Sequence, residues 1–350
     1  MRRAVIYLIP LFVTVSAAAA DLPPGGGFSL PLSCTLGADC WVINYPDMTL
    51  GPDTVDPACG PRSYNGHKST DLAIRDLATM RRGIPVLAAA DGVVQRTRDG
   101  MPDKIMQTNE DLAQLRGQGC GNGMVVDHGK GWQTQYCHLR RGSVALRPGE
   151  SVRRGQQLGL VGLSGRTQFP HVHLTIRHRG QALDPMTGRP LGAGCGRAGG
   201  SSLWHDNSRL TYQPVSIYAV GFTTGPVTAA IIKEDAAQSV QIERSAPALV
   251  LWAAIFGVRA GDQLAFTITG PNGKTLLSRG LTISRTQAWR LQFVGLQRKH
   301  AHWPLGHYSG YAVLRRGKGK TAVVSERNTK FIIKRRPRHR SDSGQKQALP

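Results

Sequence analysis

The sequence predicts a mainly β protein, a compact antiparallel β domain followed by a β-sandwich. Three observations carry this expectation. Short apolar runs separated by Gly, Pro, Asn and Asp turn signals recur from about residue 67 to residue 179. The same rhythm returns between about residues 215 and 314. In the stretch after Pro170, Val172, Leu174 and Ile176 alternate with His171, His173 and Thr175, the period of a half-buried strand.

In chain order, residues 1–20 read as a signal peptide. Met1-Arg2-Arg3 is the charged start, Ala4 to Ser16 the apolar stretch, and Ala18-Ala19-Ala20 a small-residue cleavage site before Asp21. The apolar part is too short to span a bilayer, and no later run is long enough. The mature protein is therefore expected to be exported, without a transmembrane span, and periplasmic or extracellular according to the envelope. Residues 21–59 follow as a disulfide-rich segment. Asp21 to Phe28 is a Pro/Gly-rich lead-in expected to be mobile, and residues 29–60 read as irregular chain carrying Cys34, Cys40 and Cys59.

Residues 60–187 form the first β domain. Asp71-Leu72-Ala73-Ile74 and Ile84 to Ala88 are candidate strands, and Ala90-Asp91-Gly92 turns into a third at Val93 to Arg96. Met124 to His128 and Trp132 to Leu139 make a hairpin across Gly129-Lys130-Gly131. Alternation along its second strand places Trp132, Thr134, Tyr136 and His138 on one face. Gly155, Gly159, Gly162 and Gly165 suit sharp corners between short strands. Asp99 to Gly119, with a short helix around Glu110 to Arg116, interrupts the rhythm and reads as an insertion beside the site.

The Gly-rich stretch 188–204 after Asp184-Pro185 marks a linker. Beyond it, residues 205–333 carry strands at Val215 to Val220, Ala248 to Phe256, Gln263 to Ile268, Leu291 to Val294 and Tyr308 to Leu314. Their spacing argues for a β-sandwich, with an Ig-like arrangement as its expected form. Trp252, Trp289 and Trp303 are expected in its core. Residues 334–350 are a basic, polar tail expected to be disordered.

Lys and Arg number 44 against 22 Asp and Glu, a formal charge of +22. So basic a surface attracts polyanions. For an exported protein these are anionic envelope polymers; nucleic acid is the second reading on charge alone, but no recognition motif accompanies it. Six cysteines make an even set suited to an oxidising compartment, and six allow fifteen pairings. Cys120 with Cys137 is favoured, because both lie near the ends of consecutive strands; the other four are expected to tie the N-terminal region to the core. No Cys-x-x-Cys pair suggests a zinc ribbon or redox site.

Histidine spacing carries the chemistry. His67-Lys68-Ser69-Thr70-Asp71 offers an imidazole and a carboxylate, Tyr136-Cys137-His138 ends an aromatic strand, and His171-Val172-His173 puts two imidazoles on one strand face. One of the last pair can bind a metal while the other stands beside it. A His, Asp, His set suits zinc and leaves a fourth position for water, the pattern of a hydrolytic site. No His-Glu-x-x-His helix supplies a glutamate base, so proton handling falls to histidines outside the ligand set. His128, His178, His205, His300, His302, His307 and His339 fit no ligand pattern and read as ordinary polar residues.

These motifs together resemble the lysostaphin/LytM-type zinc metallopeptidases, marked by a His-x-x-x-Asp, a Tyr-x-His-like stretch and a His-x-His. Val86-Leu87-Ala88-Ala89-Ala90-Asp91-Gly92, Gly155-Gln156-Gln157-Leu158-Gly159, Gly162-Leu163-Ser164-Gly165 and Asp184-Pro185 match the same pattern, which covers about Gly60 to Pro185. The resemblance implies a compact antiparallel β domain with one Zn2+ per chain in a groove on the sheet. It implies His67, Asp71 and His173 as metal ligands, with His138 and His171 as the catalytic pair. It further implies peptidoglycan peptides as substrate. The alternatives are a latent wall-binding or regulatory protein of the same fold, and a protease of Gly-rich proteins. The insertion at 99–119 and the disulfide-rich segment are departures that could reshape the groove.

Overall fold

The computed structural model describes residues 23–335 apart from 107, 116, 197–199, 206–209, 236–241 and 320–321. The expected signal peptide and residues 336–350 of the expected tail lie outside the described residues.

The chain is mainly β, as expected. The first part contributes β1 (Cys40–Asn44), β2 (Thr70–Ile74), β3 (Pro85–Leu87), β4 (Gly92–Arg98), β5 (Asn122–Asp127), β6 (Trp132–Leu139), β7 (Ser151–Val152), β8 (Gln157–Leu160), β9 (His171–His178) and β10 (Gln181–Leu183). The main sheet runs β1-β2-β9-β6-β5-β4-β7, with antiparallel neighbours and β10 added beside β9. β3 and β8 pair separately. Val42, Leu72, Ile74, Val172, Leu174 and Ile176 face one side and fill the main core. The residues alternating with them, Trp41, Asp71, Ala73, His171 and His173, face the other side. That second face carries both the polar cluster and an apolar patch.

Two expectations for the N-terminal region are corrected. Cys40–Asn44 is not irregular: it forms the edge strand of the main sheet, with Asn44 paired to Asp71. Nor is the lead-in loose. Phe28 is fully buried against Trp132 and His128, and the Arg154 guanidinium donates to the carbonyls of Pro24 and Gly27. The stretch after Asp184-Pro185 likewise folds back, since Leu203 N–H donates to Pro185 and Trp204 bridges Phe28. Cys120 pairs with Cys137 as expected, and Cys59–Cys195 ties the segment before His67 to the Gly-rich stretch. Cys34–Cys40 closes a local loop instead of joining the N-terminal region to the core.

Helix α1 (Leu77–Arg82) starts where the Asp76 carboxylate accepts from Thr79 N–H. In the 99–119 insertion, Thr108 and Asp111 close a capping box on α2 (Asn109–Gln114). The insertion is held in place by carboxylate-capped turns: Asp99 accepts from Gly142 and Val144 N–H, and Asp103 from Arg141 and Leu163 N–H.

The second part contributes β11 (Ser216–Thr223), α3 (Ala229–Glu234), β12 (Ala248–Val258), β13 (Gln263–Thr269), β14 (Thr275–Thr282), β15 (Gln287–Gln297), β16 (Gly306–Arg316) and β17 (Val323–Ile333). Two sheets, β11-β12-β15 and β14-β13-β16-β17, enclose a core of Leu249, Leu251, Ile255, Phe266, Ile268 and Leu314. This is a sandwich. In a constant-type immunoglobulin domain the fourth strand joins the first sheet; here β14 pairs with β13 in the second.

β12 is apolar on both sides. Its odd-numbered residues Leu249 to Ile255 fill the sandwich, whereas Trp252, Ala254 and Phe256 meet Trp41, Ala73 and Phe169 from the first part. The expected tryptophan positions are corrected accordingly. Trp303 lies in the sandwich core and Trp252 in this second cluster, while Trp289 is half-buried at the cluster's edge. The sandwich thus rests on the same sheet face that carries the histidine cluster.

Candidate metal centre

Cross-strand register brings the five expected side chains together. Asp71 on β2 lies opposite His173 on β9, and Ala73 lies opposite His171. His67, in the turn four residues before Asp71, closes over them. Its Nε2 stands 3.1 Å from Asp71 Oδ1 and 3.3 Å from His173 Nδ1, and His173 Nδ1 is 2.8 Å from Asp71 Oδ1. Ligands 2.0–2.1 Å from a tetrahedral ion are separated by about 3.3 Å. The three atoms therefore form a triangle of the right size to face one ion.

Each donor is oriented by a neighbour. His67 Nδ1–H donates to the Tyr45 carbonyl at 2.8 Å, which leaves Nε2 with its lone pair. His173 Nε2–H donates to Ser69 Oγ at 2.6 Å, and Ser69 bonds in turn to Thr175 Oγ1, so Nδ1 is the free nitrogen. Asn44 Nδ2 donates to Asp71 Oδ2 at 2.9 Å, which turns Oδ1 toward the imidazoles. Such outer partners fix tautomer and aim together.

The charges agree with a cation-binding pocket. Burial alone would raise the Asp71 pKa, but His67, His171 and His173 outweigh it and hold the carboxyl well below its usual range. Burial opposes charge on His67, yet Asp71 and the Tyr45 carbonyl outweigh it and raise its pKa. Burial lowers the pKa of His173 despite Asp71, keeping its lone pair available.

His138 reaches the cluster by an unexpected route. Cys137 pairs with His173, so simple alternation would bury His138 on the core side with Tyr136. The shared face expected for Trp132, Thr134, Tyr136 and His138 is therefore corrected at its last member. The β5–β6 register slips between Asn122 and Met124, and His138 takes a φ of 65°. This bulge turns its ring to 4.7 Å from His171 and 5.5 Å from His173, centroid to centroid. Opposite the bulge stands Gly123, where a Cβ would lie 2.3 Å from the Tyr136 carbonyl oxygen. The Cys120–Cys137 disulfide fastens the same place.

His138 and His171 share one tautomer. His138 Nδ1–H donates to Ser164 O at 2.7 Å, and His171 Nδ1–H donates to Phe169 O at 2.8 Å. Both therefore present Nε2 to the cluster, and His171 Nε2 is 3.6 Å from Asp71 Oδ1. Burial, then His171 and His173, push the His138 pKa well below the usual imidazole value. His138, His171 and His173 also form a second close set of possible ligand atoms.

Sequence reasoning missed Asn44, Thr167 and Tyr64. Asn44 lay in supposedly irregular chain, Thr167 contacts His171 Nδ1 at 3.1 Å, and Tyr64 stacks on His67 at 4.3 Å. No spacing signal marks any of them.

Residues 66–185 match the model of Peptidase family M23. The chain is 34% identical over 120 residues to the peptidoglycan DD-endopeptidase ShyA of Vibrio cholerae, covering 34% of this chain and 22% of that protein. It is 35% identical over 107 residues to the DD-carboxypeptidase/endopeptidase Mpg of Neisseria meningitidis, covering 30% of this chain and 20% of that one. The matched segment thus spans about a fifth of these relatives' length. Among solved structures, the catalytic domain of lysostaphin from Staphylococcus simulans aligns at 20% identity with a TM-score of 0.27, over 41% of this chain and 86% of that one. Asp71, the four clustered histidines and the strands that present them all fall within residues 66–185, and that segment is a peptidase domain of family M23.

Proposed function

We propose that this protein is an exported metalloendopeptidase that holds one zinc ion per chain and hydrolyses peptide bonds in peptidoglycan stems or cross-links. Its peptidase domain and its peptidoglycan-cleaving relatives support the reaction class. The observation that carries the metal is the triangle of His67 Nε2, Asp71 Oδ1 and His173 Nδ1, with edges of 2.8, 3.1 and 3.3 Å. Two imidazoles and a carboxylate are a zinc donor set with room for a fourth ligand.

The ion, when bound, supplies a Lewis acid that acidifies water and polarises a carbonyl. The chain does the rest. His138, neutral and with Nε2 free, accepts the proton of the attacking water and returns it to the departing amine. His171, held by Phe169 and Thr167, faces the developing oxyanion and steadies it. Asn44 and Ser69 keep Asp71 and His173 from rotating. Cavities of about 440 and 280 Å³ on the two sides of the cluster offer a path for an extended peptide.

Mass analysis of purified peptidoglycan incubated with the protein tests this reading. New free amines and shorter peptide fragments should appear, and should vanish with chelator. Unchanged fragments over a long incubation would instead support the wall-binding alternative.

The pH dependence follows from His138. It must be neutral to accept a proton, and its lowered pKa keeps it neutral further into acid. At saturating metal, the acid limb of kcat/KM should lie below 6.5, the ordinary imidazole value. A limb centred above that value would remove His138 as the base.

A further inference from the structure

The cavity of about 440 Å³ beside Asp71 and His171 is walled by two parts of the chain. Asn44 and Phe169 come from the peptidase side, and Met106 and Leu112 from the insertion. The opposite wall is sandwich: Lys233 from α3, Phe256 from β12 and Trp289 from β15. This wall is built, not merely adjacent. Phe256 is 2% exposed and packs edge-on against Phe169 at 5.5 Å and flat on Tyr218 at 4.2 Å. Trp289 is pinned by its indole N–H, which donates to Tyr218 Oη at 2.9 Å. Arg81 and Glu234 form an ion pair across the two parts at the outer end of α3.

Charge in the cavity is one-sided. Its one lining carboxylate among the described residues is Asp71, already engaged by Asn44 and the histidines. Facing it are Arg166 and Lys233. The Lys233 ammonium stands 5.2 Å from the Trp289 ring centroid and 3.5 Å from the Gln168 carbonyl oxygen. Among the described residues no carboxylate joins it in an ion pair. Burial alone lowers its pKa, so a half-buried cation sits there without an anionic partner. A cation held over an aromatic face at the mouth of an apolar slot is preorganised for a carboxylate.

We propose that the sandwich supplies one bank of the substrate groove and that Lys233 is a specificity residue, binding a carboxylate of the peptide beside the scissile bond. Trp289, backed by the buried Phe256–Tyr218 stack, takes the apolar part of the same segment. The assignment rests on the hydrolase reading for the nature of the ligand. It adds a substrate class to that reading: peptides with a free carboxylate, in preference to amidated ones.

The test uses the full chain carrying His138→Ala, so that little peptide is consumed during the titration. Calorimetry compares a peptidoglycan stem peptide bearing free carboxylates with the same peptide fully amidated. The free acid should bind about tenfold more tightly, the size of one charge-assisted contact at a partly buried site. Adding Lys233→Gln should shrink that preference to less than about twofold, and Lys233→Arg should restore most of it, with melting temperatures unchanged in both. A preference that survives Lys233→Gln, equal binding of the two peptides, or no binding of either overturns the assignment. The two proposals fail separately. Chelator-sensitive cleavage without a Lys233-dependent preference sinks the subsite alone, whereas the preference without cleavage sinks the hydrolase.

Discussion

His138→Ala is expected to lower kcat by about 10²–10⁴-fold while the protein keeps close to one metal ion per chain. The imidazole lies outside the His67, Asp71 and His173 triangle, and its Nδ1–H is spent on the Ser164 carbonyl. On the proposed mechanism its loss removes the proton carrier and leaves the donor atoms in place. Turnover and metal content must be measured on the same preparation, because His138, His171 and His173 form a competing ligand set. A variant that loses metal along with rate would move His138 into the coordination sphere. One that keeps its rate would end its role in proton transfer.

His67→Ala is expected to bring activity to background and to release the metal during dialysis. One of three donors disappears, and with it one corner of the triangle. Affinity should fall by more than the roughly 10–100-fold that follows loss of an orienting partner. The fold itself should persist, since Asn44 keeps its hydrogen bond to Asp71 and β2 stays paired with β9. Metal analysis after dialysis, with circular dichroism as the folding control, checks this. Wild-type metal content would show that the ion is held by another set of side chains.

The site was legible where chemistry and backbone period coincide. His171 and His173 share a face because a strand alternates, and Asp71 joins them because β2 pairs with β9 in that register. His138 was legible as a candidate but not in its direction. A bulge, set by one extra residue opposite Gly123, overrides alternation and cannot be read from the apolar pattern. Asn44 was hidden for a different reason. Edge strand β1 is one short run inside a Cys-bounded segment, and only its pairing with β2 reveals it.

The sandwich shows the same division. Strong apolar runs exposed β12, β13 and β16, whereas β14 and β17 were missed. β17 alternates half-buried and exposed positions along its whole length, with Glu326, Arg327 and Lys330 interrupting the apolar signal, and β14 is an exposed edge. One available clue went unused. Ala248 to Val258 is almost continuously apolar, the mark of a strand covered on both faces. That run implied a second contact surface beyond the sandwich interior.

That double covering bears on how the molecule can be dissected. Cutting away the sandwich would leave Trp41, Ala73 and Phe169 wet, and their counterparts Trp252 and Phe256 equally bare on the discarded half. Bare aromatic patches invite aggregation. The shortened chain would also lack the Lys233, Phe256 and Trp289 wall of the cavity beside Asp71, so ligand screens run on such a fragment would sample a different receptor from the one the cell makes.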